Sequence, residues 1–218
     1  MQNVREYKGV IIYKRGGYFM GNFSKGKING RGRRVTPDLT VYEGDFINGY
    51  EDGKGKCVFI NGSRYEGEWK KGRQDGYGIE DILGSHNYKG YFKNGRKNGK
   101  GICKLTDGTV YDGDFIDDKY DGTGTCIRPN GKTYEGKWKD NRENGEGKLK
   151  YSKGITYTGE FLDGLPHGKG KLQHDDGSQV MEGFWVKGKK EGKFTLTMRG
   201  QPTKVVEIKN DVVVKIIS

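Results

Sequence analysis

The sequence predicts an all-β protein: an elongated, single-layer antiparallel meander, or solenoid, of about eight β-hairpin units. Three observations lead there. The 218 residues include no alanine and 39 glycines, so the best helix former is missing and one of the worst is abundant. Only 31% of the residues are hydrophobic and the net charge is +11, close to the disordered range, yet 12% are aromatic. Those aromatics are periodic. Tyr42, Tyr65, Tyr88, Tyr111, Tyr134 and Tyr157 recur every 23 residues, with Phe19 in step before them and Met181 one residue late after them. A fixed period of this length is the mark of a repeat array.

Each unit is built the same way. Two residues after its first aromatic, or after Met181 in the last unit, comes glycine (Gly21, Gly44, Gly67, Gly90, Gly113, Gly136, Gly159, Gly183), and two later another aromatic (Phe23, Phe46, Trp69, Phe92, Phe115, Trp138, Phe161, Trp185). A period of two puts all three on one face of a strand. The residues between them, such as Glu43, Asp45, Glu66, Glu68, Asp112 and Asp114, suit a solvated outer face. Glycine then fills the twelfth place of every unit and the fourteenth of all but the last, where Phe194 stands. The eighth place is Gly49, Gly72 or Gly95, but Asp118 and Asn141 in two units, residues that tolerate a left-handed backbone. The first turn is therefore expected over the eighth to twelfth places. Asn61-Gly62, Asp107-Gly108, Asn130-Gly131 and Asp176-Gly177 read as two-residue turns joining one hairpin to the next. In all, 34 of the 39 glycines fall on five repeat places, which ties glycine to the architecture and not to a linker.

The expected organisation is an N-terminal cap or half unit over 1–18, eight units over 19–194 starting near 19, 42, 65, 88, 111, 134, 157 and 181, and a C-terminal β cap or pairing edge over 195–218. Two strands per unit give sixteen strands. The tail Val212-Val213-Val214-Lys215-Ile216-Ile217 is β-prone and apolar, and an open sheet edge of that kind must be capped or paired.

Tyr65-Glu66-Gly67-Glu68-Trp69, followed by Gly72, Gly76 and Gly78, resembles a MORN repeat, the "membrane occupation and recognition nexus" module, and residues 19–194 resemble eight of them in series. Departures lie near the ends, where Asp38-Leu39 lacks the turn glycine and the last unit carries Met181 and Phe194. The resemblance implies protein binding, scaffolding and homodimerisation at the ends of the array, and also association with membranes and phosphoinositides.

Chemistry that the sequence imitates does not survive inspection. Gly49 to Gly53-Lys54-Gly55, Gly95 to Gly99-Lys100-Gly101 and Gly164 to Gly168-Lys169-Gly170 imitate a phosphate-binding loop, but each is one residue short, lacks Ser or Thr after the lysine, and precedes a strand where that loop needs a helix. Cys57, Cys103 and Cys126 share the sixteenth place, which is leucine in later units, so each reads as a small apolar residue facing inward. Units about 10 Å apart keep them beyond disulfide reach, and no zinc site is expected. His86, His167 and His174 occupy three different places, with no serine, cysteine or carboxylate pair at a periodic spacing. No enzyme, cofactor or metal is expected.

Two surfaces remain. The aromatic face, with Tyr42, Phe46, Tyr65, Trp69, Tyr88, Phe92, Tyr111, Phe115, Tyr134 and Trp138, forms the thin core and also a groove suited to an extended or helical partner segment. The second is a basic strip near the first hairpin turns. It contains Arg31, Arg33 and Arg34, then Lys70, Lys71 and Arg73, then Lys93, Arg96, Lys97 and Lys100, and finally Lys187, Lys189 and Lys190. Such a strip attracts an anionic membrane surface. Nucleic acid is not expected as a partner, because the aromatics that would stack on bases are taken by the repeat. No stretch has the order of a signal peptide, so the expected compartment is the cytoplasm, with attachment to cytoskeleton or membrane cortex. The function expected is that of a non-enzymatic scaffold for protein partners, with possible homodimers; the alternative is binding to anionic phospholipid.

Overall fold

The structure is a computed structural model and describes residues 6–218, so the first five residues of the expected N-terminal cap lie outside the described residues. The chain falls into two compact units, residues 1–106 and 107–218. The first holds β1 (Glu6–Ile12), β2 (Tyr18–Ser24), β3 (Lys27–Val35), β4 (Val41–Ile47), β5 (Tyr50–Val58), β6 (Arg64–Lys70), β7 (Arg73–Ile82), β8 (His86–Lys93) and β9 (Arg96–Leu105). The second holds β10 (Val110–Ile116), β11 (Lys119–Ile127), β12 (Thr133–Lys139), β13 (Arg142–Tyr151), β14 (Ile155–Leu162), β15 (Leu165–His174), β16 (Gln179–Val186), β17 (Lys189–Met198), β18 (Lys204–Lys209) and β19 (Val212–Ile216). Within each unit every strand pairs antiparallel with its sequence neighbours, as a simple meander. The fold is the all-β meander of repeated hairpins; the three strands beyond sixteen come from the flanks, in β1, β18 and β19.

The register explains the repeat. Tyr42 faces Cys57 and Gly44 faces Gly55, which on its other side faces Gly67. The tyrosine ring lies across this glycine pair. A Cβ on Gly55 would sit 2.2 Å from the Tyr42 hydroxyl, and one on Gly44 would sit 2.5 Å from the Gly55 Cα. Glycine at the third and fourteenth places is therefore a packing requirement. The ring ends at a carbonyl: Tyr42 Oη donates to Asp45 O at 3.0 Å, and Tyr65, Tyr88, Tyr111, Tyr134 and Tyr157 repeat that bond three residues on.

Both kinds of turn differ from their expected form. The first is not a span from the eighth to the twelfth place but a two-residue turn at the seventh and eighth. Both residues are left-handed, as in Asn48 (φ 51°) with Gly49 (φ 92°) and Asp117 (φ 47°) with Asp118 (φ 70°), the pattern of a type I′ hairpin. The second strand starts at the ninth place, and the twelfth-place glycine lies inside it. There Gly53, at φ 111°, belongs to a bulge in which Asp52, Gly53 and Lys54 oppose Asp45 alone. The acidic fourth place serves this bulge: Asp45 accepts from Lys54 N at 3.1 Å, Glu68 from Tyr77 N, Asp114 from Thr123 N and Glu160 from Lys169 N.

The connecting turns are also longer than two residues. Gly62 N donates to Phe59 O and Phe59 N to Ser63 O, only Gly62 of the Asn61-Gly62 pair is left-handed, and Asn61 Oδ1 accepts from Ser63 N at 3.0 Å. This is a type I turn closed by a left-handed residue, and Asp107, Asn130 and Asp176 make the same side-chain bond. Leu39 holds the equivalent place without glycine, at φ 64°.

Candidate interaction surfaces

The aromatic face is the core of each unit. Tyr42, Phe46, Tyr65, Tyr88, Phe92, Tyr111, Phe115, Tyr134 and Trp138 are all buried, and Trp69 is half-buried. They form an edge-to-face ladder. Tyr42 meets Phe46 of its own repeat and Trp69 of the next, both with ring centroids 5.1 Å apart, and Tyr134 meets Trp138 and Phe161 likewise. Trp69 and Trp138 donate their Nε1–H to the carbonyls of Gly55 and Gly124. Burial raises the Tyr42, Tyr65, Tyr111, Tyr134 and Tyr157 hydroxyls well above the ordinary tyrosine range. With the rings packed on one another, what this face offers a partner is the space beside them.

That space is a groove of about 380 Å³ in the first unit, lined by Arg34, Glu51, Tyr42, Phe59, Trp69 and Gln74 among others. Its charge is balanced by Arg34, whose guanidinium lies 2.5 Å from Glu51, donates to Gly49 O at 2.6 Å and sits 4.9 Å from the Phe46 ring centre. In the second unit Arg128 pairs with Glu143, while Lys132 lies 5.4 Å over the Tyr151 ring. Burial, then the neighbouring Arg128 charge, lowers the Lys132 pKa.

The basic strip is redistributed. Lys70, Lys71, Arg73, Lys93 and Arg96 are exposed around two successive first turns, Lys70 opposite Arg73 and Lys93 opposite Arg96. Lys97 is not on that edge. The two-residue turn places its site inside the second strand, facing inward, so its side chain is 11% exposed, with Nζ 3.3 Å from Glu80 and 2.8 Å from His86 Nε2. Lys100 is exposed on the outer face, at the bulge. Arg31 and Arg33 also lie on the outer face, against Asp45 and Glu43, and Arg34 points inward; Lys190 pairs with Asp211.

One imitation of catalysis emerges that the sequence did not suggest. Ser85 Oγ lies 2.9 Å from His86 Nδ1, and Glu80 lies 3.6 Å from Nε2. Lys97 donates to Nε2, which assigns the ring proton to Nδ1 and directs it at the Ser85 oxygen. An imidazole that donates to a hydroxyl cannot take its proton, so this serine is not activated. Among the described residues no group of three or more His, Cys, Asp or Glu is placed to hold a metal ion. Cys57, Cys103 and Cys126 are buried thiols outside any disulfide, and Gly53-Lys54-Gly55 lies within β5 with no helix after it.

The outer face carries a feature outside the periodic pattern. Tyr77, Ile79, Tyr91 and Ile102 are 38–51% exposed, side by side on β7, β8 and β9. The sequence does carry a signal for it, because the same repeat places elsewhere hold Asp45, Lys54, Lys56, Asp114, Thr123, Glu146 and Lys148.

The MORN repeat family model matches residues 19–41, 42–64, 65–81, 88–110, 111–133, 134–156, 157–179 and 182–193. Among solved structures the chain is similar to the wild-type TCP10 domain of Danio rerio CPAP, in complex with a peptide of Danio rerio STIL. That match has 12% identity and a TM-score of 0.51, covering 98% of this chain and 99% of that one. It is also matched to the SAS-4 (dCPAP) TCP domain of Drosophila melanogaster, in complex with a proline-rich motif of Ana2 (dSTIL), at 12% identity and TM-score 0.34, covering 93% and 90%. The first of these shares its fold; no curated protein sequence matches the chain.

Proposed function

The chain belongs to the MORN-repeat family, and from that premise we propose that it is a non-enzymatic scaffold whose aromatic face holds an extended segment of a partner protein. The observation that carries this reading is the groove beside Tyr42 and Trp69, where Phe59 and the Trp69 edge give apolar contact and Arg34, Glu51 and Gln74 give polar contact. A peptide held there gains from a floor already fixed by the ring ladder, so little order is lost on binding. The zebrafish domain of the same fold was solved with a peptide, which supports a segment over a globular partner. A cytoplasmic scaffold attached to the cytoskeleton is the setting that fits this role.

Two further elements belong to the proposal. The exposed cations Lys70, Lys71, Arg73, Lys93 and Arg96 favour anionic phospholipid as the second reading. The five residues of β19 are all exposed, which suits pairing with a second copy of the chain.

Partner capture from cell extract tests the main reading, with Thr40→Glu and Gln74→Arg as groove variants and Lys93→Glu with Arg96→Glu as the edge variant. Both groove sites are half-buried lining residues; the tenth place, that of Gln74, already holds Glu51 or Lys97 elsewhere, whereas Thr40→Glu gives up the hydrogen bond of Thr40 to Asp38, so the fold of that variant is checked by circular dichroism before capture. The groove variants should lose the partner while the edge variant keeps it. Loss only in the edge variant, together with flotation on phosphatidylserine vesicles that fades as salt rises, would move the function to the basic edge.

A further inference from the structure

We propose that the outer face of β7, β8 and β9 is a second docking surface, separate from the aromatic groove, for an acidic amphipathic segment of a partner protein. Tyr77 faces Tyr91 across the β7–β8 ladder with ring centroids 5.4 Å apart, Ile79 faces Lys89, and Lys89 faces Ile102. This is four large apolar residues together at places that in most other units are charged or polar, Phe184 being an exception. The repeat does not need them, since neither ring joins the inner ladder and Tyr77 and Tyr91 are 39% and 51% exposed. A contiguous exposed apolar patch with a polar rim marks an interaction site.

The rim specifies the occupant. Lys89 lies within the patch, Lys93 and Arg96 form the next cross-strand pair on this face toward the turn of β8 and β9, and Lys70 is exposed at the neighbouring turn, opposite the groove-lining Arg73. None of Lys70, Lys89, Lys93 or Arg96 has an acidic partner within salt-bridge distance among the described residues. Apolar residues of a partner would cover the Tyr77–Tyr91 pair, and its carboxylates would reach the cations toward the turn. A membrane fits less well. Glu66 stands opposite Ile79, and Glu68, which accepts from Tyr77 N, sits beside that ring. A lipid plane would have to desolvate both carboxylates, whereas a narrow segment centred on β8, reaching β7 only at the Tyr77 ring, can leave them in water. A second copy of the chain fits less well too, because two such faces would bring their cation pairs together.

Panning a random phage-displayed peptide library on the whole chain tests the proposal. The decisive variant is Tyr77→Thr with Tyr91→Asp. It installs residues that Thr123 and Asp114 already supply at the same repeat places, so the fold is kept and the new aspartate can cap its bulge. The enriched peptides should combine Asp or Glu with large apolar residues and bind the wild type. They should lose about tenfold or more in affinity to this variant and to Lys93→Glu with Arg96→Glu. They should be unaffected by Thr40→Glu in the groove, so failure here and failure of the groove reading are told apart. Enriched peptides without acidic residues, or binding indifferent to both outer-face variants, would overturn the proposal. So would flotation on phosphatidylserine–phosphatidylcholine vesicles that depends on Tyr77 and Tyr91 while no peptide is enriched.

Discussion

At the scale of single residues, the repeat is decided by backbone geometry more than by side-chain chemistry. The left-handed place before each connecting strand is glycine at Gly62, Gly108, Gly131 and Gly177, but Leu39 takes it at φ 64° while 62% exposed. A leucine there crowds its own carbonyl at a cost of about 1–2 kcal/mol and gains no burial in return. Leu39→Gly should therefore stabilise the first unit by about 1 kcal/mol after the added entropy of the unfolded glycine is subtracted, read as a shift in the denaturation midpoint; a lower midpoint would show that this turn relaxes by another route. Cys57 gives a pH-dependent test. Burial first, then the Glu51 and Asp38 charges, push its thiol from 9.0 up to about 11. A raised folded pKa means that the neutral thiol is favoured in the fold, so this stability is complete below pH 9 and is lost as the pH rises toward 11. The buried tyrosines shift the same way and extend the loss to higher pH. The melting temperature should fall with alkali, and Cys57→Leu, which copies Leu149, should flatten the first part of that fall; equal slopes in both proteins would deny the thiol its part.

At the scale of the hairpin, Tyr111, Gly113 and Gly124 act as one device. A Cβ on Gly124 would lie 2.4 Å from the Tyr111 hydroxyl, which is itself tied to Asp114 O at 2.9 Å. Gly124→Ala should cost near the top of about 1–3 kcal/mol by overpacking. Tyr111→Phe should cost about 1 kcal/mol for the lost hydrogen bond, a loss the repeat already bears at Phe19. Because the alanine clashes first with the hydroxyl, the two changes together should cost less than the sum of their separate losses in a double-mutant cycle; simple additivity would mean that the ring carbons Cζ and Cε2, 2.6 and 2.8 Å from the added Cβ, dominate the clash. This device was legible in the sequence as a spacing, since Tyr-x-Gly-x-aromatic and the fourteenth-place glycine fix strand, face and pairing. The turns were legible in place but not in size. Gly53 reads in sequence as turn and proves to be bulge, because a left-handed glycine serves either equally well and only the register tells them apart. That difference moves Lys97 from the edge to the inside, and it turns Asp45 and Glu68 from merely solvated residues into caps of the bulge. The outer patch was legible only as a departure: Tyr77 and Tyr91 stand at places that are mostly charged or polar in other units, and attention to the aromatic period passes over them.

At the scale of the whole molecule, a core made of one row of rings per unit makes stability local. Among the described residues a strand pairs within its unit only with its sequence neighbours, so the free energy is close to a sum over hairpins and the interfaces between adjacent ones. A compact globular unit of similar size would share a defect among all its parts. The two cases diverge under native-state hydrogen exchange. Gly124→Ala strikes the interface of β10 with β11 and should speed exchange of the amides in β10 to β12. The amides of β15 to β17, in the same unit, should change little, because Tyr157, Phe161 and Trp185 keep their own ring contacts intact. In the wild type β19 should exchange before any strand between β11 and β17, since all five of its residues are exposed and, among the described residues, its ladder is to β18 alone. Uniform acceleration across residues 107–218 in the variant would mean that the unit opens as one body, and that the ring ladder transmits order over more than one hairpin at a time.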